Sequence, residues 1–152
     1  MFQAERVLIE RRLGAYVVGA IEHVGSTAVP GLSAKPVIDI MVGVASLEAS
    51  RPALPLLASL GYCYFPYKAE IMHWLCKPSP EVRTHHVHLI TFQSRLWIER
   101  LTFRDCLRAD AALRTAYAAL KHDLAARFQD DREAYTEHKT DFIQHVVASA
   151  LG

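Results

Sequence analysis

Apolar positions along this chain follow two regimes. Up to about residue 93 they come in short runs rich in β-branched and aromatic side chains; after Ser94 they recur at helical spacing. Residues 2–13 mix apolar and charged positions (Val7, Leu8, Arg11, Arg12) and stop before Gly14, which predicts a helix. Residues 15–24, AYVVGAIEHV, predict a strand. The glycines and prolines of GSTAVPGLSAKP predict a loop. Residues 37–44 lack polar alternation, as expected of a central strand covered on both faces. Residues 46–60 read as a helix stopped by Gly61, although its prolines oppose that reading. Residues 62–76 predict an aromatic-rich hairpin, and residues 84–92, THHVHLITF, a further strand.

Three helices are predicted beyond Ser94. Ser94 and Asp110 are the expected N-caps of the first two, and Asp130 with Glu133 resembles a capping box for the third. Strands followed by helices predict an α+β fold: a mixed β-sheet with flanking helices and a C-terminal helical segment. The expectation is one domain over residues 1–152, sheet-rich in 1–93 and helical in 94–152.

Charge narrows the partners. Seventeen basic and 16 acidic residues leave a net charge of +1, so nucleic acid and anionic membranes are not expected partners. Any anion site must be local. Cys63, Cys76 and Cys106 form no CxxC and read as reduced thiols. No run approaches the roughly 18 apolar residues of a membrane helix, and the charged N-terminus is no signal peptide. A cytoplasmic protein is expected; its oligomeric state is not legible.

Asp39 interrupts the run VIDIMV. Ile38, Ile40 and Val42 share one strand face; Asp39 shares the other with Val37 and Met41. A lone buried carboxylate costs several kcal/mol, so it needs a metal, a cleft or a partner such as Lys35. In THHVHLI, His86, His88 and Ile90 share one face, and the two histidines suit a shared metal or phosphate as well as a half-exposed polar surface. Gly25 and Ser26 open a loop whose backbone and hydroxyls suit phosphate, with Lys35 at its far end and Pro30 and Pro36 stiffening it. Arg104, Lys121 and Lys139 fall on the apolar faces of the three helices. Each can snorkel outward; together they would make a basic wall facing the sheet.

The stretch IEHVGSTAVPGLSAKPVIDIMVGV, with the tail FRDCLRA and DDREAYTEHKTDFI, resembles the GrpB family from about residue 2 to 147. The N-terminus is shorter than that family's pattern. GrpB resembles in turn the nucleotidyltransferase superfamily, which implies a nucleotidyltransferase-like sheet. By that resemblance Gly25 and Ser26 contact nucleotide phosphates, and Asp39 is the first metal-binding carboxylate. The second would stand at position 41, here Met41, and the third near His86 or His88. Asp39 and His88 are thus the implied catalytic residues. Asp39, His86 and His88 are the implied ligands of a divalent metal, Mg²⁺, Mn²⁺ or Zn²⁺. Lys35, Arg104, Lys121 and Lys139 would hold a small phosphorylated or nucleotide-containing ligand. Some members are fused to the kinase that phosphorylates dephospho-coenzyme A, which implies a ligand of that kind. Nucleotidyl or phosphoryl transfer is one implied function. A non-catalytic phosphate-ligand module with a degenerate site is the alternative, and a protein-interaction role is the third.

Overall fold

A computed structural model describes residues 2–32 and 36–152, apart from the Arg132 side chain. Helix α1 (Phe2–Leu13) leads to strand β1 (Ile21–Val24) and a 3-10 turn (Ser26–Ala28). Strand β2 (Ile38–Val44), helix α2 (Ala53–Ala58) and strands β3 (Cys63–Tyr64), β4 (His73–Pro78) and β5 (Arg83–Thr91) follow. Helices α3 (Arg95–Ala109), α4 (Ala111–Arg127) and α5 (Arg132–Leu151) complete the described chain. The five strands form one mixed sheet in the order β1-β2-β5-β4-β3. Only the central pair, β2 and β5, is parallel; its neighbours are antiparallel. This is the α+β architecture expected from the two regimes of the sequence.

The period-2 alternation of β2 separates the two faces of the sheet. Ile38, Ile40, Val42 and Val44 bury against Ile9 and Leu13 of α1 and Ala53 and Leu57 of α2, joined by Leu75, Val87 and Leu89. Each such side chain contributes about 1.5–3 kcal/mol by leaving water. At the rim of this face Tyr62 and Lys77 both donate to the buried Glu5 carboxylate, Tyr62 at 2.7 Å. Burial alone would raise the Glu5 carboxyl, but these two bonds outweigh it and hold it below the usual range.

On the second face Met41 and Ile90 pack with Val24, Trp74, Cys76 and Trp97 of α3. Helices α4 and α5 are tied to α3 by one ring from each. Phe103 meets Tyr117 edge-on at 5.1 Å, and Tyr117 stacks on Phe142 at 5.5 Å.

Three elements differ from expectation. The first strand starts at Ile21 rather than residue 15, because Gly19 takes φ 78° and bends the chain, although Val18 N still donates to Gly43 O at 2.8 Å. The second helix is confined to Ala53–Ala58: Pro52 caps it, and Pro55 fits its first turn, where no N–H is needed. The cap of α5 is Asp131, which accepts from Ala134 N at 3.0 Å, rather than Asp130. Ser94 and Asp110 cap α3 and α4 by accepting from Trp97 N and Leu113 N.

Candidate functional site

Parallel pairing of β2 with β5 sets Asp39 beside His86 and Met41 beside His88. The alternation of both strands then turns Asp39, His86 and His88 to the second face. Asp39 Oδ1 lies 2.9 Å from His86 Nδ1 and 3.3 Å from His88 Nε2. The Asp39 side chain keeps 24% of its surface exposed and His86 keeps 20%, so a small ligand can reach them. Met41, at the position expected for a second carboxylate, is fully buried.

The protons on the two imidazoles follow from their partners. Arg100 Nη1 donates to His88 Nδ1 at 2.8 Å. A guanidinium only donates, so Nδ1 is the acceptor and the His88 proton sits on Nε2, facing Asp39. Burial and the Arg100 charge push His88 down to about 4, which keeps the ring neutral. His86 donates from Nδ1 to the carboxylate, which leaves its lone pair on Nε2. That nitrogen is buried and has no partner among the described residues. Burial alone would raise the Asp39 carboxyl, yet the two imidazole bonds outweigh it and hold it well below the carboxylate range.

The loop after β1 sits directly on this carboxylate. Gly25 has φ 77°, and a Cβ there would lie 2.4 Å from Asp39 Oδ2. Thr27 fastens the loop by donating from Oγ1 to Val37 O at 3.0 Å, with His23 Nε2 also 3.0 Å from that hydroxyl. Arg108 Nε donates to Ala28 O at 2.9 Å. From α4, Lys121 Nζ donates to Ser26 Oγ at 2.7 Å and lies 4.8 Å over the Tyr117 ring. Burial and the neighbouring Lys139 charge lower the Lys121 ammonium. Lys121 thus meets the hydroxyl while feeling the Lys139 charge, which gathers positive charge locally in a nearly neutral chain. Burial, Tyr135 and Asp39 push the Tyr117 phenol up, so Asp39 is felt across to α4.

The expected residues are thus partly assembled. Gly25, Ser26, Asp39, His86 and His88 form one contiguous group, reached by Lys121 with Lys139 beside it. Arg104 is committed elsewhere: its guanidinium pairs with Glu22 at 2.7 Å and Asp105 at 3.0 Å and donates to His23 O. Those carboxylates raise it above the arginine range despite burial. Lys35 lies outside the described residues. Arg100 was not expected, although it stands three residues after the inward-facing Trp97, a spacing that puts both on one helix face. A surface hollow of about 730 Å³ between β1 and α3 is lined by none of the cluster's residues.

The family described as "GrpB protein" matches residues 1–149. The chain is 32% identical to "Glutamate-rich protein GrpB" of Alkalihalophilus pseudofirmus, covering 97% of this chain and 87% of that one. It is 39% identical to a "UPF0157 protein" of Deinococcus radiodurans, covering 85% of this chain but 66% of that one. A segment of a "Dephospho-CoA kinase" from Mycolicibacterium paratuberculosis is 31% identical, covering 78% of this chain and 35% of that one. The crystal structure of "conserved protein GrpB" from Enterococcus faecalis superposes with a TM-score of 0.84 at 34% identity, covering 99% of this chain and 90% of that one. No helix among the described residues is long and apolar enough to cross a membrane. With the match running through the Gly25–Asp39 loop, the β2–β5 pair and all three C-terminal helices, this chain belongs to the GrpB family.

Proposed function

We propose that this chain carries a nucleotidyltransferase-type site that binds a small phosphorylated or nucleotide-containing molecule. The carrying observation is the contact of the Gly25–Ser26 turn with Asp39 on one side and Lys121 on the other. A phosphate would accept from the turn's backbone N–H groups, the Ser26 hydroxyl and the Lys121 ammonium, with Lys139 adding charge. The similarity to a segment of a dephospho-CoA kinase supports a nucleotide-containing ligand.

Thermal shift with ATP, coenzyme A or inorganic phosphate, each in chelator, tests the reading. A ligand at about 100 times its dissociation constant adds roughly 2.7 kcal/mol, a shift of several degrees for a domain of this size. The shift is expected in wild type and is lost in Lys121→Ala. A shift that survives Lys121→Ala, or none with any phosphorylated ligand, overturns it.

Transfer chemistry is a second reading, favoured by the Asp39 carboxylate, whose side chain keeps 24% of its surface exposed beside the Gly25–Ser26 turn. An acceptor hydroxyl would attack phosphorus and pass its proton to that carboxylate. The bond from phosphorus to the leaving oxygen would break, and that oxygen would keep the electron pair. General-base help of this kind is worth roughly 10²–10⁴-fold. If Asp39→Ala leaves measured turnover unchanged, Asp39 is not the base.

A further inference from the structure

Asp39, His86 and His88 offer three ligand atoms within 4.8 Å of one another, the spacing of a metal centre. The bonding around them opposes one. Each imidazole would have to give a lone pair from the nitrogen that now faces Asp39, and carry its proton on the other nitrogen. For His88 that other nitrogen is Nδ1, 2.8 Å from Arg100 Nη1. A guanidinium has no lone pair and cannot accept the proton. His88 therefore ligates a metal only if Arg100 moves away. For His86 the displaced proton would land on Nε2, which is buried without an acceptor among the described residues. Charge points the same way, because a divalent ion would add to the Arg100 cation beside a single carboxylate.

Arg100 is itself suited to the cation's place. Its partners are soft ones: His88 Nδ1, and Met72 Sδ at 3.7 Å. The charge that acts on it most is the Asp39 carboxylate.

We propose that Arg100 is the resident cation of this site: through His88 it balances Asp39 as a divalent ion would, and the site works without a metal. Arg100 is a positioning residue, fixing the His88 proton on Nε2. The proposal rests on the donor geometry and not on the ligand proposed above.

Calorimetric titration with Zn²⁺ at neutral pH tests it. Wild type and Asp39→Ala are expected to give the same weak, unsaturated response. Arg100→Gln places a carbonyl where His88 Nδ1–H can donate. It is expected to gain a one-to-one site, tighter than wild type by roughly 10- to 100-fold. That gain disappears in the Arg100→Gln, Asp39→Ala double variant. Arg100→Lys stays like wild type, since an ammonium accepts no proton either. One-to-one zinc binding by wild type that Asp39→Ala abolishes overturns the proposal, as does Arg100→Gln binding no better than wild type. If Arg100→Gln does not fold, ¹H–¹⁵N correlation of the wild-type imidazoles decides. A His88 proton on Nε2 supports the proposal, and a proton on Nδ1 overturns it. A chain that binds no phosphate yet gives this zinc pattern refutes the proposed ligand and leaves the Arg100 assignment standing.

Discussion

The two faces of the sheet solve opposite problems with the same strands. Toward α1 and α2, Ile38, Ile40, Val42 and Val44 pack into an apolar cluster, with Glu5, Lys77 and Tyr62 at its rim. Toward α3, the intervening positions carry Asp39, His86 and His88, each held by a named bond. The first face stabilises by area removed from water, which is tolerant of direction. The second depends on where protons sit. A one-residue slip of β2 against β5 would turn both sets to the wrong side, so the dry face also fixes the register of the polar one.

The largest effect expected from this contrast is on the dry face. Leu57→Ala removes a fully buried side chain of α2 and should cost about 3–5 kcal/mol in urea unfolding. Phosphate-ligand affinity, read on the same protein below its transition, should hold; a loss of affinity would show that the faces are coupled.

Acid should act on the polar face. His88 titrates at about 4 when folded and near 6.5 when unfolded. Between those values the unfolded chain takes a proton that the native one refuses, so stability falls as pH drops from 6.5 toward 4. The full drop is about 3 kcal/mol. Burial also lowers His23 and His85, which adds to the slope. Those two remain in His88→Gln, so the difference between its pH profile and that of wild type isolates His88. Equal slopes would mean that His88 is not held neutral.

The smallest effect sharpens the boundary of α5, the helix that brings Lys139. Asp131→Ala should cost about 1 kcal/mol of thermal stability, while Asp130→Ala should stay within about 0.5 kcal/mol. The reverse order would return the cap to Asp130.

Much of this was legible because period and face are local properties. Alternation alone assigned Asp39, His86 and His88 to faces, and helical spacing brought Lys121 toward the sheet. What was not legible was non-local. The parallel pairing of β2 with β5 skips over β3 and β4, and only that pairing sets Asp39 against His86. Arg100 was missed because an arginine beside Trp97 reads equally as a solvent-facing residue until its partner on another strand is known. Arg104 was inward as expected, but Glu22 on β1 had first claim on it. The short β1 and α2 reflect single residues, Gly19 and Pro52, whose backbone demands outweighed the apolar pattern around them.

The contact between Gly25 and Asp39 constrains the two positions unequally. A methyl group at position 25 would press on the carboxylate at 2.4 Å, and the φ of 77° there takes a side chain only with strain. Shortening residue 39 removes the first obstacle and leaves the second. Position 39 can therefore change without position 25, whereas glycine at 25 is demanded by its own backbone as well as by a carboxylate with 13 residues between them.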